Sequence, residues 1–336
     1  MGTRLLVVGG DAAGMTAAMQ ARRRVPELEI VAVERGRYTS YSACGIPYLA
    51  QGTVHAIDDL VVRTPDELRA QRIDVRTGHE VVGIDLAARK AEVNNLTHGR
   101  TFQLGFDLLM VATGARPVRP EVDGIDAPHV HGVQTLDDAA RLLDDAKRRR
   151  PACVVVVGGG YIGLEMAEAF QSRGASVTIV EAGPEIMPSL DPDVGATVAR
   201  AVRGMGIDVR TGTALNAVHE DRVSTSNGDL PADLVILGTG VRPNSELGAA
   251  AGLATGVRDA LVVDRRQKAA DGVWAAGDCC QSTHLVSGRP VYQALGTAAN
   301  RQARVAGLNL SGGYATFPGV LGTAITRICG LEVSRT

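Results

Sequence analysis

A single cysteine stands in the segment YTSYSACGIPYLAQG, residues 38–52, and its thiol carries the richest chemistry there. As a thiolate, Cys44 would attack disulfides or persulfides; shut in a core, it would only fill space. The nearest other cysteine is Cys153, so no disulfide closes within the segment. Two carboxylates have an equally defined setting. Glu34 ends the run EIVAVE and Glu181 ends SVTIVE, each downstream of a glycine-rich turn. An acid at that place accepts hydrogen bonds from the hydroxyls of a nucleotide ribose.

The elements that would position these groups occur twice. RLLVVGGDAAGMTAAMQARRR reads as a buried strand, a glycine turn and an Ala-rich helix, and ACVVVVGGGYIGLEMAEAFQSRG repeats that order from Ala152. The acid comes after the last motif glycine by 20 residues in the first copy (Gly14 to Glu34) and by 18 in the second (Gly163 to Glu181). This is the spacing of a dinucleotide fingerprint. Its first glycine permits the turn, its second lets helix N-terminal amides approach a pyrophosphate, and its third lets helix and strand pack closely. The second copy has all three, Gly158, Gly160 and Gly163; the first keeps Gly9 and Gly14 but carries Asp11 in the middle. The residues assigned to dinucleotide contact are Gly9, Gly10, Asp11, Ala12, Ala13, Gly14, Glu34 and Arg35, then Gly158, Gly160, Tyr161, Ile162, Gly163 and Glu181.

Two further stretches share a design. FDLLMVATGARPVRP (106–120) is an apolar strand running into a small-residue turn, Ala112, Thr113 and Gly114. ADLVILGTGVRPN (232–244) repeats it after the second fingerprint, with Gly240 in the turn. Each leaves its own nucleotide domain, so the chain is expected to cross between domains near residues 116 and 245. Between them DDAARLLDDAKRRR reads as a charged amphipathic helix whose basic end faces solvent. GVWAAGDCCQ (272–281) is another strand ending in a glycine–acid turn, Gly277–Asp278, that opens a helix. The adjacent Cys279 and Cys280 are read as small packing residues, with a redox pair as the alternative. The expected fold is α/β, with two Rossmann-like dinucleotide-binding domains: residues 1–115 with 245–318, and residues 116–244.

Composition narrows the partners. A net charge of −2 gives no reason to expect nucleic acid or an anionic membrane. Five irregularly spaced cysteines in 336 residues are no disulfide framework and point to a reducing cytoplasm. The N-terminal apolar run, Leu5 to Val8, is too short for a secretory signal, and no run approaches the roughly 18 residues of a membrane span. No metal centre is expected.

In family order, VVGGDAAG, LLMVATGARP, VVVVGGGYIGLE, VILGTGVRPN and VWAAGD resemble the FAD- and pyridine-nucleotide-dependent disulfide reductase superfamily, over nearly the whole chain. The resemblance implies that the first fingerprint holds FAD, with Glu34 on the adenosine ribose and Asp278 on the ribitol side. The second holds NAD(P)H. Members with a cysteine pair place the two five positions apart; here the position five before Cys44 is Thr39. SYSACGIPY instead resembles the single-cysteine branch of coenzyme A disulfide reductases, NADH oxidases and peroxidases, and persulfide reductases, which puts Cys44 beside the flavin. The oxidases and peroxidases carry a histidine where this chain has Ala12.

The coenzyme A disulfide reductase pattern matches Thr16, Gln20 and Arg23, on one helical face, with Ser40 before the cysteine. Arg23 and Arg72 would meet coenzyme A phosphates; Ala43 stands where the family often has Asn. Residues 319–336 resemble the start of a third, interface domain that makes the dimer in relatives, so a truncated interface domain is expected. The implied function is FAD-dependent NAD(P)H reduction of a small disulfide or persulfide through Cys44. A water-forming NADH oxidase or peroxidase and a truncated, non-catalytic FAD- and NADH-binding flavoprotein are the alternatives. Glu181 followed by Ala182, Gly183 and Pro184, with no base nearby in sequence, favours NADH over NADPH.

Overall fold

Leu5, Leu6, Val7 and Val8 are all buried in the strand Arg4–Val8 because both faces of that strand are covered. The structure, a computed structural model, describes residues 2–336. Leu5 and Val7 enter one core with Ala17 and Ala21 of the helix Ala12–Arg24 and Ala303 and Ala306 of the helix Gly296–Leu310. Leu6 and Val8 enter the opposite core with Val81 and Val93 of an antiparallel layer, His79–Asp85, Lys90–Asn95 and Arg100–Gly105. A strand covered on both faces needs no polar side, hence the uninterrupted apolar run. The sheet has six strands in the order Lys268–Ala270, Val273–Ala275, Leu108–Val111, Arg4–Val8, Glu29–Glu34 and Ile73–Thr77. All are parallel but the edge strand Lys268–Ala270.

Cys153–Val157 takes the corresponding place in a second, wholly parallel sheet. Its order is Asp208–Arg210, Ser176–Val180, Cys153–Val157, Leu234–Leu237 and Val130–Gly132. A three-stranded antiparallel layer, Leu215–Val218, Arg222–Thr225 and Gly228–Pro231, covers one core with Val223 and Leu230. The helices Leu136–Arg149, Tyr161–Ser172 and Pro192–Gly204 complete the unit. The first of these is the charged helix of the sequence, opened by a capping box of Thr135 and Asp138.

The chain divides into two compact units. One holds the chain up to Ser42 with Val61–Arg116 and Arg242–Gly322; the other holds Ala43–Leu60, Pro117–Val241 and Thr323–Thr336. Two segments therefore fall outside the division drawn from sequence. In the second unit, the helix Ile46–Gln51 packs on Tyr161–Ser172, and Arg173 donates to the Ala50 carbonyl at 2.8 Å. The hairpin Ala324–Ile328 and Leu331–Arg335 docks on that same helix. There the Cys329 amide donates to the Glu168 carboxylate at 2.9 Å, and the Thr326 hydroxyl bonds Glu165.

One element differs from the sequence reading. No helix opens after Asp278. Cys280 bridges to Leu261, and Ser282–Thr283 pairs antiparallel with Pro290–Val291 across a turn, so the next helix starts only at Gly296. Burial of the two cysteines in the core holds that course.

Candidate functional site

The first cradle is built on the turn between Arg4–Val8 and Ala12–Arg24. Gly9 has φ +110°, and a Cβ there would lie 2.1 Å from the Ala112 carbonyl oxygen. A Cβ on Gly14 would lie 1.9 Å from the Gly9 oxygen, so the helix packs on the turn only through a bare glycine. Glu34 arches over this turn. Its two carboxylate oxygens accept the Gly10 and Gly36 amides, each at 2.6 Å.

Asp11 is the N-cap residue, but its side chain does not cap its own helix; it accepts the Tyr41 amide at 3.1 Å. Burial, opposed by hydrogen bonds from Tyr41 and Ala12 and aided by Glu34 and Asp278, pushes its carboxyl up to about 7. Burial alone pushes Asp278 up to about 6. Gly277, beside it, approaches Ala13 so closely that a Cβ would lie 2.9 Å from the Ala13 methyl. The first turn of the helix, Ala12 and Ala13, is therefore fitted against the glycine–acid turn.

The second cradle repeats the first. Gly158 has φ +103°, with its Cβ direction 2.5 Å from the Gly238 oxygen; a Cβ on Gly163 would lie 2.0 Å from the Gly158 oxygen. The Glu181 oxygens accept the Gly159 amide at 2.8 Å and the Gly183 amide at 2.7 Å. Gly160 is the N-cap, and Tyr161 and Ile162 begin the helix. The Tyr161 hydroxyl is buried and, among the described residues, finds no hydrogen-bond partner. Both cradles fit a dinucleotide, with a glycine turn at the helix start and a carboxylate bridging two loop amides, and the second adds the buried Tyr161 hydroxyl.

Sequence-assigned residues outside the turns take varied places. Arg35 is exposed and 3.7 Å from Glu80. Thr113 and Gly114 are tied to Asn244: the Asn244 side-chain amide donates to the Thr113 carbonyl at 2.9 Å, and its backbone amide to the Gly114 carbonyl at 3.0 Å. Gly240 acts through its backbone, its carbonyl accepting the Val118 amide at 2.9 Å. The Thr16 hydroxyl donates to Asn300 at 2.8 Å, and Gln20 lies against Gly307, so these two face the helix Gly296–Leu310. Arg23 is exposed. Arg72 donates to the Pro26 carbonyl at 2.7 Å. Ser40 is held by its backbone, donating to Gly10 at 2.9 Å and accepting from Val62 at 2.7 Å.

The five thiols differ sharply. Cys44, in the short turn Ala43–Gly45, is exposed, and no cysteine is in a disulfide. Cys279 and Cys280 are buried with their sulfurs 3.7 Å apart; a hydrogen bond from Cys280 lowers Cys279, and burial raises Cys280. Burial also pushes Cys329 up to about 12. Gln302 was not legible as part of a site. Its buried side chain accepts the Gly277 amide at 2.9 Å and donates to Ser282 at 2.8 Å, bracing the Gly277–Asp278 turn from a helix with no motif of its own.

A paired dinucleotide architecture of this kind defines a class, and the chain belongs to it. The pyridine nucleotide-disulphide oxidoreductase family model matches residues 3–303, and with it come FAD and a nicotinamide dinucleotide as cofactors. The chain is 34% identical, over 99% of its length and 75% of the relative's, to an NADH oxidase of Methanocaldococcus jannaschii. It is 32% identical, over 99% of its length and 76% of the relative's, to an NAD(P)H sulfur oxidoreductase (CoA-dependent) of Pyrococcus furiosus. A solved NAD-dependent persulfide reductase from A. fulgidus superposes with TM-score 0.93 at 35% identity, covering 97% of this chain. The present chain spans 62% of that structure's length. Among the described residues no helix is long and apolar enough to cross a membrane.

Proposed function

We propose that the protein reduces a small disulfide or persulfide, coenzyme A disulfide being the best-supported class, at the expense of NADH. The carrying observation is the exposure of Cys44 against four thiols that are buried or half-buried. FAD, when bound, supplies the two-electron relay between nicotinamide and sulfur. Gly9, Gly14, Glu34 and Asp278 would hold FAD, and Gly158, Gly160, Gly163 and Glu181 the nicotinamide dinucleotide. The Cys44 thiolate attacks one sulfur of the substrate, forming a mixed disulfide and expelling the first thiolate. Two electrons originating in NADH then cleave that bond, releasing the second thiol and restoring Cys44. The balance is NADH, a proton and one disulfide giving NAD⁺ and two thiols.

Ala12 leaves an oxidase reading without a nearby histidine, and Thr16 and Gln20 serve helix packing, so substrate contacts rest on Arg23, Ser40 and Arg72. We place the protein in the cytoplasm, supported by five cysteines without a disulfide. A homodimer is supported by exposed Leu285, Val286 and Leu321 in the first unit. The deciding experiment is anaerobic NADH consumption with and without coenzyme A disulfide. Turnover that requires the disulfide supports the reading; NADH consumption that requires oxygen and ignores the disulfide overturns it.

A further inference from the structure

The middle position of a dinucleotide fingerprint is open on its protein side. In the second cradle a Cβ on Gly160 would meet nothing nearer than the Gly238 oxygen at 3.8 Å, and the backbone there is extended, with φ −83°. Neither strain nor crowding therefore calls for glycine at this point; only a ligand does. The first cradle puts a carboxyl into that room. Asp11 shares the extended backbone, with φ −95°, and its side chain accepts the Tyr41 amide at 3.1 Å. Beside it the Gly10 carbonyl accepts the Ser40 amide at 2.9 Å, so the residues just before Cys44 are clasped to the fingerprint turn.

The charges that act on Asp11 are acids. Glu34 reaches it from the end of Glu29–Glu34, and Asp278 from the turn after Val273–Ala275. The bases of its own helix, Arg22, Arg23 and Arg24, occupy the last turn, about 16 Å away at 1.5 Å per residue. A pyrophosphate drawn in by the helix N-terminus thus meets a cluster of carboxylates with no cation of the helix in reach.

We propose that Asp11 takes up a proton when FAD binds and holds the pyrophosphate as a neutral carboxyl, so that FAD retention depends on pH. The inference rests on the placement of FAD in the first unit. As a carboxylate, Asp11 would repel the phosphates; protonated, it donates its O–H to a phosphate oxygen. Burial and its acidic neighbours already push Asp11 up to about 7, well above the usual carboxylate range. The incoming phosphates raise it further. FAD affinity is therefore flat at low pH and falls above pH 7, approaching about tenfold per pH unit until the bound-state value is passed.

The test titrates the full-length apoprotein with FAD between pH 6 and pH 9, following flavin fluorescence, and measures proton uptake by calorimetry in two buffers of different ionisation enthalpy. The wild type should lose about tenfold in affinity between pH 7 and pH 8.5 and take up about 0.7 proton per FAD near pH 7.5. Asp11→Asn, which keeps the shape without the charge, should bind about as tightly as wild type at pH 6 and change less than about threefold up to pH 8.5. Asp11→Gly, borrowed from the second cradle, should be equally flat and serves if the Asn variant folds poorly. Asp278→Asn removes one of the acids that raise Asp11, so the fall should persist but begin at a lower pH. A pH-independent wild type, or Asp11→Asn with the wild-type slope, overturns the role of Asp11 and leaves FAD where it is. Failure to bind FAD at any pH overturns the FAD placement and this inference together.

Discussion

The two cradles of this chain solve one packing problem with the same atoms. Gly9 and Gly158 both adopt positive φ, +110° and +103°, and Gly14 and Gly163 both pack within about 2 Å of a turn carbonyl if given a Cβ. Glu34 and Glu181 each bridge two loop amides. They differ where the protein itself imposes nothing, at Asp11 against Gly160, and in the connection that leaves each acid. The connection after Glu34 carries Cys44, whereas residues 182–207 after Glu181 contain no cysteine. Positions fixed by backbone geometry are thus shared, and positions without that constraint diverge.

The largest effect should come from the feature that has no counterpart. Cys44→Ser should lower disulfide turnover by at least about a thousandfold, while NADH still bleaches the flavin in a single anaerobic mixing experiment. Cys153→Ser and Cys329→Ser should stay within about twofold of wild type, because neither thiol enters the exchange. Wild-type turnover by Cys44→Ser would remove the asymmetry from the mechanism.

Next come the shared glycines. Gly14→Ala and Gly163→Ala each drive a methyl onto a backbone carbonyl that cannot swing aside, and should cost about 3 kcal/mol in chemical denaturation. Gly14→Ala should also emerge with sub-stoichiometric FAD. Equal stability to wild type would show that the turn relaxes, and that the likeness between the cradles is not enforced sterically.

The nicotinamide choice sharpens the role of Glu181. In three dimensions the nearest strand to it carries Arg210, whose backbone carbonyl accepts the Glu181 amide at 2.9 Å. That guanidinium pairs with Asp208 at 2.8 Å, which weakens its pull on a 2′-phosphate. The preference for NADH should be at least about tenfold in kcat/KM, and Glu181→Ala should narrow it to about threefold. Since Glu181 also holds the Gly159 and Gly183 amides, KM should rise for both nucleotides. Equal use of NADPH by the wild type would refute this role.

The smallest effect on the fold, and the most discriminating, belongs to the middle position. Gly160→Ala should change stability by less than about 0.5 kcal/mol, yet raise KM for NADH several-fold, about fivefold. A fall in stability without a change in KM would place the need for that glycine in the protein rather than in the ligand.

Much of this molecule was written in its sequence. Two apolar runs, two glycine turns and two terminal acids set the paired α/β units, because buried parallel strands, tight turns and ribose contacts each demand particular residue types at short range. Asp11 and Cys44 were visible as departures from those patterns. Other features were decided only by tertiary structure. The course of the chain after Asp278 came from burial of Cys279 and Cys280, not from local propensity. Gln302 braces the Gly277 turn from 25 residues away, and the helix Gly296–Leu310 claims Thr16 and Gln20 for packing. Ala43–Leu60 and Thr323–Thr336 join the second unit through contacts with Tyr161–Ser172, the former also with Leu136–Arg149. Short-range rules fix what a segment is; which surface it covers depends on partners far along the chain, and a single sequence carries no local mark of that choice.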